Sequence, residues 1–247
     1  MSARAVTEAS TTATIDRRVA RLDWHRVAVD LDDVGIADAG PLLGRAECRS
    51  IAGMYSEDDR FRSTIDMARH RFGQGEYRYF AYPLPPIVDE LRAAFWPCLL
   101  PVARDWAARH DRPAPWPDHF EAWIDRCHQA GQLRPTPLLL HYRPGDWNAL
   151  HRDLYGDPVF PLQVVIGLDA PERDYTGGEL VVVEQRPRAQ SRATVLANGQ
   201  GHAVVVTTRD RPVRSARGWA SAPMRHGVST VRSGRRHTLG LLFHDAQ

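Results

Sequence analysis

The chain has 247 residues, 43% of them hydrophobic and 25% charged, which fits one globular domain with a sizeable core and excludes a low-complexity or collagen-like chain. The formal net charge is only +2, with the basic excess placed late: from Arg134 onward 15 Arg face 10 acidic residues, while the earlier part is mildly acidic. No apolar run reaches the ~20 residues needed to cross a bilayer, so no membrane partner is expected.

Met1 to Thr14 is rich in Ala and Thr and lacks the apolar core and cleavage pattern of a secretory signal; a disordered tail on a cytoplasmic protein is expected. From 15 to 133 the pattern predicts a helical support region. Leu42, Leu43, Cys48, Ile51, Ala52 and Tyr55 fall at helical spacing within Pro41 to Tyr55. Tyr77, Tyr79, Ala81 and Tyr82 suggest a short strand. Pro86 to Ala108 then carries Ile87, Leu91, Phe95, Leu99 and Trp106 at helical spacing, although Pro97 and Pro101 are expected to break or kink it into two pieces. A third helix is expected from about Asp118 to Gln132. Cys48, Cys98 and Cys127 are odd in number and form no CxxC pair, which points to reduced thiols.

After Pro135 the pattern changes to short β-rich segments: Thr136 to Tyr142, Val159 to Leu168, Glu179 to Gln185, Ala193 to Leu196, Ala203 to Thr208, Pro212 to Val213, and Arg236 to Phe243. Turn residues separate them, including Pro144-Gly145, Gly177-Gly178 and Ser233-Gly234. The expected architecture is α+β: a double-stranded β-helix, or jelly roll, over 134–247 packed on the helical support.

One triplet carries chemistry. On an extended segment, His151 and Asp153 point to the same side, because side chains alternate with period two. A second imidazole from a later strand, His226, would complete a set of two His and one carboxylate, which suits Fe(II) and leaves open positions, with zinc the competing metal. A surface salt bridge is the bland reading of the His-x-Asp pair. Arg236 would add a fixed cation for the far carboxylate of a dicarboxylic acid. Its neighbour Arg235 is the rival, and strand alternation lets only one of the two point inward. Thr238 lies on the same face as Arg236 and offers a hydroxyl. Tyr142 reads either as a hydrogen-bond donor to such a ligand or as an ordinary core tyrosine.

The run Tyr142-Arg-Pro-Gly145-Asp-Trp-Asn-Ala-Leu-His151-Arg-Asp153 resembles the Tyr-x-x-Gly and His-x-Asp stretch of prolyl-hydroxylase-type Fe(II)/2-oxoglutarate dioxygenases. Gly177-Gly178-Glu179-Leu180 is similar to the Gly-Gly-Glu strand of that group, and His226 followed ten positions on by Arg236 resembles its distal His and basic residue. Asp153 to Gly156, Glu184 to Arg188 and Gly234 to Gly240 further resemble a bacterial family within the group, described as oxygenases proposed to act on damaged nucleic acid. The resemblance implies Fe(II) on His151, Asp153 and His226, and 2-oxoglutarate held by Arg236 with Thr238 and Tyr142. It also implies O₂ as oxidant, ascorbate as reductant, and a macromolecular substrate that is hydroxylated or oxidatively demethylated.

Two substrate classes stay open, nucleic acid and a protein or peptide residue. Arg186, Arg188, Arg192, Arg209, Arg211, Arg214 and Arg217 form either a rim for a polyanion or a solvated face. Trp147, Asn148 and Arg152 flank the metal pair and line the substrate mouth or merely pack the loop. A reading of a different class is a non-enzymatic, cupin-like metal-binding module, in which Arg236 would have no ligand to meet.

Overall fold

The computed structural model describes residues 13–186 and 189–247. Nearly all of the expected Met1–Thr14 tail lies outside the described residues, as do Pro187 and Arg188. The helices are α1 (Ile15–Ala20), α2 (Trp24–Val34), α3 (Arg45–Gly53), α4 (Pro86–Arg109) and α5 (Phe120–Gln129). The strands of the N-terminal half are β1 (Ile36–Pro41), β2 (Phe61–Asp66), β3 (Gly73–Gln74) and β4 (Glu76–Phe80). Those that follow are β5 (Leu138–Tyr142), β6 (Trp147–His151), β7 (Leu162–Gly167), β8 (Tyr175–Gly177), β9 (Leu180–Glu184), β10 (Arg192–Leu196), β11 (His202–Thr207), β12 (Asp210–Ser215), β13 (Gly218–Val228), β14 (Val231–Gly234) and β15 (Arg236–Leu242).

Two antiparallel sheets face each other, as in a double-stranded β-helix. The major sheet runs β1-β11-β7-β15-β5-β4-β2, and the minor sheet runs β10-β9-β13-β6-β3 with β12 attached to β13. The expected α+β jelly roll is therefore the observed fold. The N-terminal half is less purely helical than its pattern suggests, since β1, β2 and β4 extend the major sheet and β3 the minor one. β2 and β4 are short and largely part-exposed, so they carry little of the period-two apolar signal that marks a buried strand.

Alternation along the major sheet divides its two faces. Leu239 and Leu241 of β15, Leu162, Val164 and Ile166 of β7, and Leu139 of β5 join one buried cluster with the helices. From α4 this cluster takes Leu91, Phe95, Leu99 and Trp106, and from α5 Phe120 and Trp123. Burying that much apolar area is what holds the helices to the sheet. The opposite face looks into the space between the sheets, where Leu180, Val182, Val204, Val206 and Met224 close one end.

The helix ends follow their sequence. Asp23 accepts the Arg26 N–H at 3.0 Å to start α2, and Gly35, at φ +74°, ends it in the left-handed conformation that glycine adopts most readily. The expected break at Pro97 and Pro101 is absent: α4 runs unbroken across both. The two prolines lie one turn apart on the exposed face, where water can bond the carbonyls they leave free, while packing of the opposite face keeps the helix together.

Candidate metal and cosubstrate site

β6 and β13 are neighbours in the minor sheet, and His151 stands directly opposite His226. Two residues further along β13, Val228 pairs with Asn148, three residues back along β6, so β6 carries one extra residue. This bulge lets both Asn148 and His151, an odd number of residues apart, line the same cavity. Gly227 makes the bulge possible, because a Cβ there would lie 2.6 Å from the Asn148 carbonyl oxygen.

Asp153, just past the end of β6, completes the group. Its Oδ1 lies 3.4 Å from His151 Nε2 and its Oδ2 3.1 Å from His226 Nε2. Among the described residues, these three are the group of His, Cys, Asp or Glu side chains whose ligand atoms come within 4.8 Å of one another. His151 Nδ1 lies 2.7 Å from the Ala149 carbonyl oxygen, which accepts a hydrogen bond when Nδ1 carries the proton and so leaves the Nε2 lone pair for the shared centre. Burial disfavours the charged form of Asp153, but hydrogen bonds and charge from the two histidines overcome it and hold the carboxyl well below its usual range. Burial is the largest single influence on His151 and pulls it down, but the hydrogen bond with Asp153, the Asp153 charge and the Ala149 carbonyl together outweigh it, leaving its pKa raised.

Arg236, at the start of β15, pairs across the strands with Tyr142. It is 1% exposed. Its Nη1 reaches Thr238 Oγ1 at 3.5 Å, while Nε and Nη2 find no hydrogen-bond partner among the described residues. A buried cation with donors unused is costly unless something anionic meets it. The Tyr142 ring lies beside it, 5.3 Å from centroid to guanidinium carbon, and burial pushes the Tyr142 phenol up to about 12. Gly178, at φ +67°, leaves the room the guanidinium stem needs, since a Cβ there would sit 2.8 Å from Arg236 Cδ. Arg235 is exposed. Alternation thus turns Arg236 inward and its rival outward.

A single cavity of ≈ 310 Å³ is lined by His151, Asp153, His226, Arg236, Thr238 and Tyr142. Two imidazole nitrogens and a carboxylate oxygen, with no thiolate, make a donor set that suits Fe(II). An unpaired guanidinium on the same wall fits a dicarboxylate cosubstrate. The residues present therefore fit both groups.

Among the residues flanking the pair, Asn148 and Arg152 line the cavity, whereas Trp147 is exposed outside it. His202 pairs with Asp38, His237 with Asp169, and His244 Nδ1 accepts the Phe160 N–H, so these three are structural. The arginine run divides: Arg211 is buried in an ion pair with Glu184, while Arg192, Arg209, Arg214 and Arg217 are exposed. Tyr77, Tyr155 and Gln163 also line the cavity and did not emerge from the motifs. Gln163 did leave a signal, as the one polar side chain in the apolar strand Leu162–Gly167.

A jelly roll with an inward His-Asp-His group and a buried arginine defines the class of Fe(II)/2-oxoglutarate oxygenases. The chain belongs to the Oxygenase-NA family, described as "Oxygenase, catalysing oxidative methylation of damaged DNA", whose pattern matches residues 75–246. It is similar to uncharacterized proteins of two Mycobacterium tuberculosis strains, each 59% identical over 167 residues, covering 68% of this chain and 72% of the relative. Solved structures agree on the fold. A Pseudomonas putida prolyl-4-hydroxylase aligns at TM-score 0.51 and 16% identity, over 91% of this chain and 99% of that one. A Trichoplax adhaerens prolyl hydroxylase, solved with a hypoxia inducible factor peptide, aligns at TM-score 0.52 and 14% identity, over 94% and 90%.

Proposed function

We propose that His151, Asp153 and His226 hold Fe(II), that Arg236 binds the C5 carboxylate of 2-oxoglutarate with Thr238 and Tyr142 beside it, and that a damaged base in nucleic acid is hydroxylated or oxidatively demethylated in this cavity. The observation that carries the reading is the buried guanidinium of Arg236, with two nitrogens free, on the wall of the same cavity as the three clustered ligands. A metal-binding module without a cosubstrate would have no use for that cation.

Bound together, iron and 2-oxoglutarate supply O₂-dependent oxidation of a C–H bond, with succinate and CO₂ as the cosubstrate's products. The chain's own residues do the placing. His151 and His226 present Nε2 from paired strands, and Asp153 adds the one anionic donor. Arg236, itself buried, would fix the far end of the cosubstrate through charge-assisted bonds, which burial strengthens. Leu138, Leu140 and Val165 keep water from the wall between.

Phe72 and Arg152 line the cavity, and Phe72 is 46% exposed, a face on which a base can stack beside a cation. The family description points the same way. The unpaired thiols of Cys48, Cys98 and Cys127 fit a reducing cytoplasm, and ascorbate fits as the reductant that keeps the metal ferrous.

The test is succinate formation from 2-oxoglutarate with added Fe(II) and ascorbate, in wild type and Asp153→Ala. Turnover by wild type that is lost in the variant is expected; equal succinate from both would overturn the metal assignment. Single-stranded DNA affinity should fall steeply with added salt. Binding that ignores salt, together with oxidation of an offered peptide instead of an alkylated oligonucleotide, would move the substrate to protein.

A further inference from the structure

Asp153 is held by more than the two histidines. Tyr155 donates its hydroxyl to Oδ1 at 2.9 Å, and Gln163, reaching across from β7 in the major sheet, donates Nε2 to Oδ2 at 2.9 Å, the same Nε2 lying 3.1 Å from His226 Nε2. Each carboxylate oxygen thus has one imidazole and one neutral donor. The Tyr155 hydroxyl is in turn 3.0 Å from that of Tyr79 on β4, so Tyr79 donates to Tyr155 and Tyr155 to Asp153. Behind Tyr79, the Arg62 guanidinium from β2 lies over the ring, 4.5 Å from its centroid. Arg62 is itself tied to the Pro135 carbonyl at 2.9 Å.

We infer that Tyr155, oriented by Tyr79, and Gln163 are positioning residues that fix the Asp153 carboxylate for the metal, a role resting on the Fe(II) reading above. The physical reason is that a carboxylate on a loop beyond its strand swings freely about its side-chain torsions. Two neutral donors, one on each oxygen, fix its plane without adding a further charge beside the cation. They also occupy one lone-pair direction on each oxygen, which limits how the carboxylate can meet a metal. The strands β2 and β4 thereby act on the metal centre as well as extending the sheet, because Tyr79 and Arg62 reach it only through them.

The experiment is Co(II) titration of the metal-free protein, followed by the visible d–d absorption, for wild type, Tyr155→Phe, Gln163→Leu, Tyr79→Phe and the Tyr79→Phe/Tyr155→Phe pair. Phe keeps each ring and removes only the hydroxyl. Tyr155→Phe and Gln163→Leu are each expected to weaken Co(II) binding by roughly 10-fold or more and to change the band shape. Tyr79→Phe should cost less, and nothing further once Tyr155 is Phe, because it acts through Tyr155. A simple packing role would instead give additive losses in thermal midpoint with an unchanged band. Wild-type affinity and spectrum in both Tyr155→Phe and Gln163→Leu would overturn the inference while leaving the metal centre standing. Failure of wild type itself to bind Co(II) would remove the metal reading, and this one with it.

Discussion

His151 and His226 face each other across β6 and β13 as a direct cross-strand pair, their ring centroids 4.4 Å apart. Because they sit on hydrogen-bonded neighbours, their separation is set by the sheet and not by any loop, which gives the site rigidity before a metal arrives. Asp153 alone comes from outside a strand, and Tyr155 and Gln163 each donate a hydrogen bond to its carboxylate.

Replacing Arg236 should act on the cosubstrate and leave the metal alone. Charge-assisted hydrogen bonds in a buried site are worth about 1.5–3 kcal/mol each, so Arg236→Ala is expected to raise the KM for 2-oxoglutarate by roughly 10-fold to 100-fold or more. Arg236→Lys should recover part of this, as a point charge without the planar fork. Co(II) affinity should stay near wild type. An unchanged KM in Arg236→Ala would show that the cosubstrate binds elsewhere.

Gly178→Ala touches no ligand, yet it should weaken 2-oxoglutarate binding. The new methyl meets Arg236 Cδ at 2.8 Å and Val231 Cγ2 at 2.9 Å, at a backbone φ of +67°. The left-handed backbone alone costs about 1–2 kcal/mol. A higher cosubstrate KM together with a lower thermal midpoint is expected; a lower midpoint with a normal KM would separate Gly178 from the guanidinium.

Stability should fall as the solution is acidified from pH 6.5 toward pH 4. His244 is fully buried with its Nδ1 accepting the Phe160 N–H, and burial, followed by the charge of Arg92, lowers its pKa to about 4. His141 is also lowered to about 4, first by burial and then by the charge of His237. In the unfolded chain both regain about 6.5 and bind protons that the folded protein refuses, so the stabilisation is whole above that pH and lost below it. His244 contributes on the order of 1–2 kcal/mol of this loss by pH 5. Urea midpoints at pH 7 and pH 5 measure the effect. His244→Asn still offers an acceptor and should flatten the dependence; an identical pH response in that variant would reject the assignment.

The chain's end is fastened to α4 by a buried ion pair, Arg92 to Asp245 at 3.1 Å, with Tyr82 donating to the same carboxylate at 2.7 Å. Both partners are at most 1% exposed. Asp245→Ala strands a buried guanidinium and should destabilise the fold by about 3–5 kcal/mol, read as a lowered thermal midpoint. The pair Arg92→Met/Asp245→Leu should recover much of that loss, since it removes both buried charges together. Equal losses in the single and double variants would place the cost in packing.

The chemistry was legible in the chain because its residues are few in kind and fixed in order. His151-Arg152-Asp153, then Gly177-Gly178, then His226 and Arg236 name a ligand set and a counter-charge through side-chain chemistry alone. Strand alternation likewise required that only one of Arg235 and Arg236 face inward, and the ten-residue spacing from His226 favoured Arg236. Less was legible where sequence pattern and environment part company. β13 carries His226 yet reads Gly-Trp-Ala-Ser-Ala-Pro-Met-Arg-His-Gly-Val, with small residues and a proline in place of alternating apolar ones, so its strand character comes from pairing with β9, β12 and β6.

What the sequence by itself determined is local: which atoms can bind a metal, which strand faces are apolar, and where turns must fall. Only the tertiary structure decided that β6 bulges against Gly227, that α4 runs through two prolines, and that Gln163 and Tyr155, the latter backed by Tyr79, converge on Asp153. Those outcomes depend on contacts between residues far apart in the chain, whose energies arise only when the sheets close and water leaves the space between them.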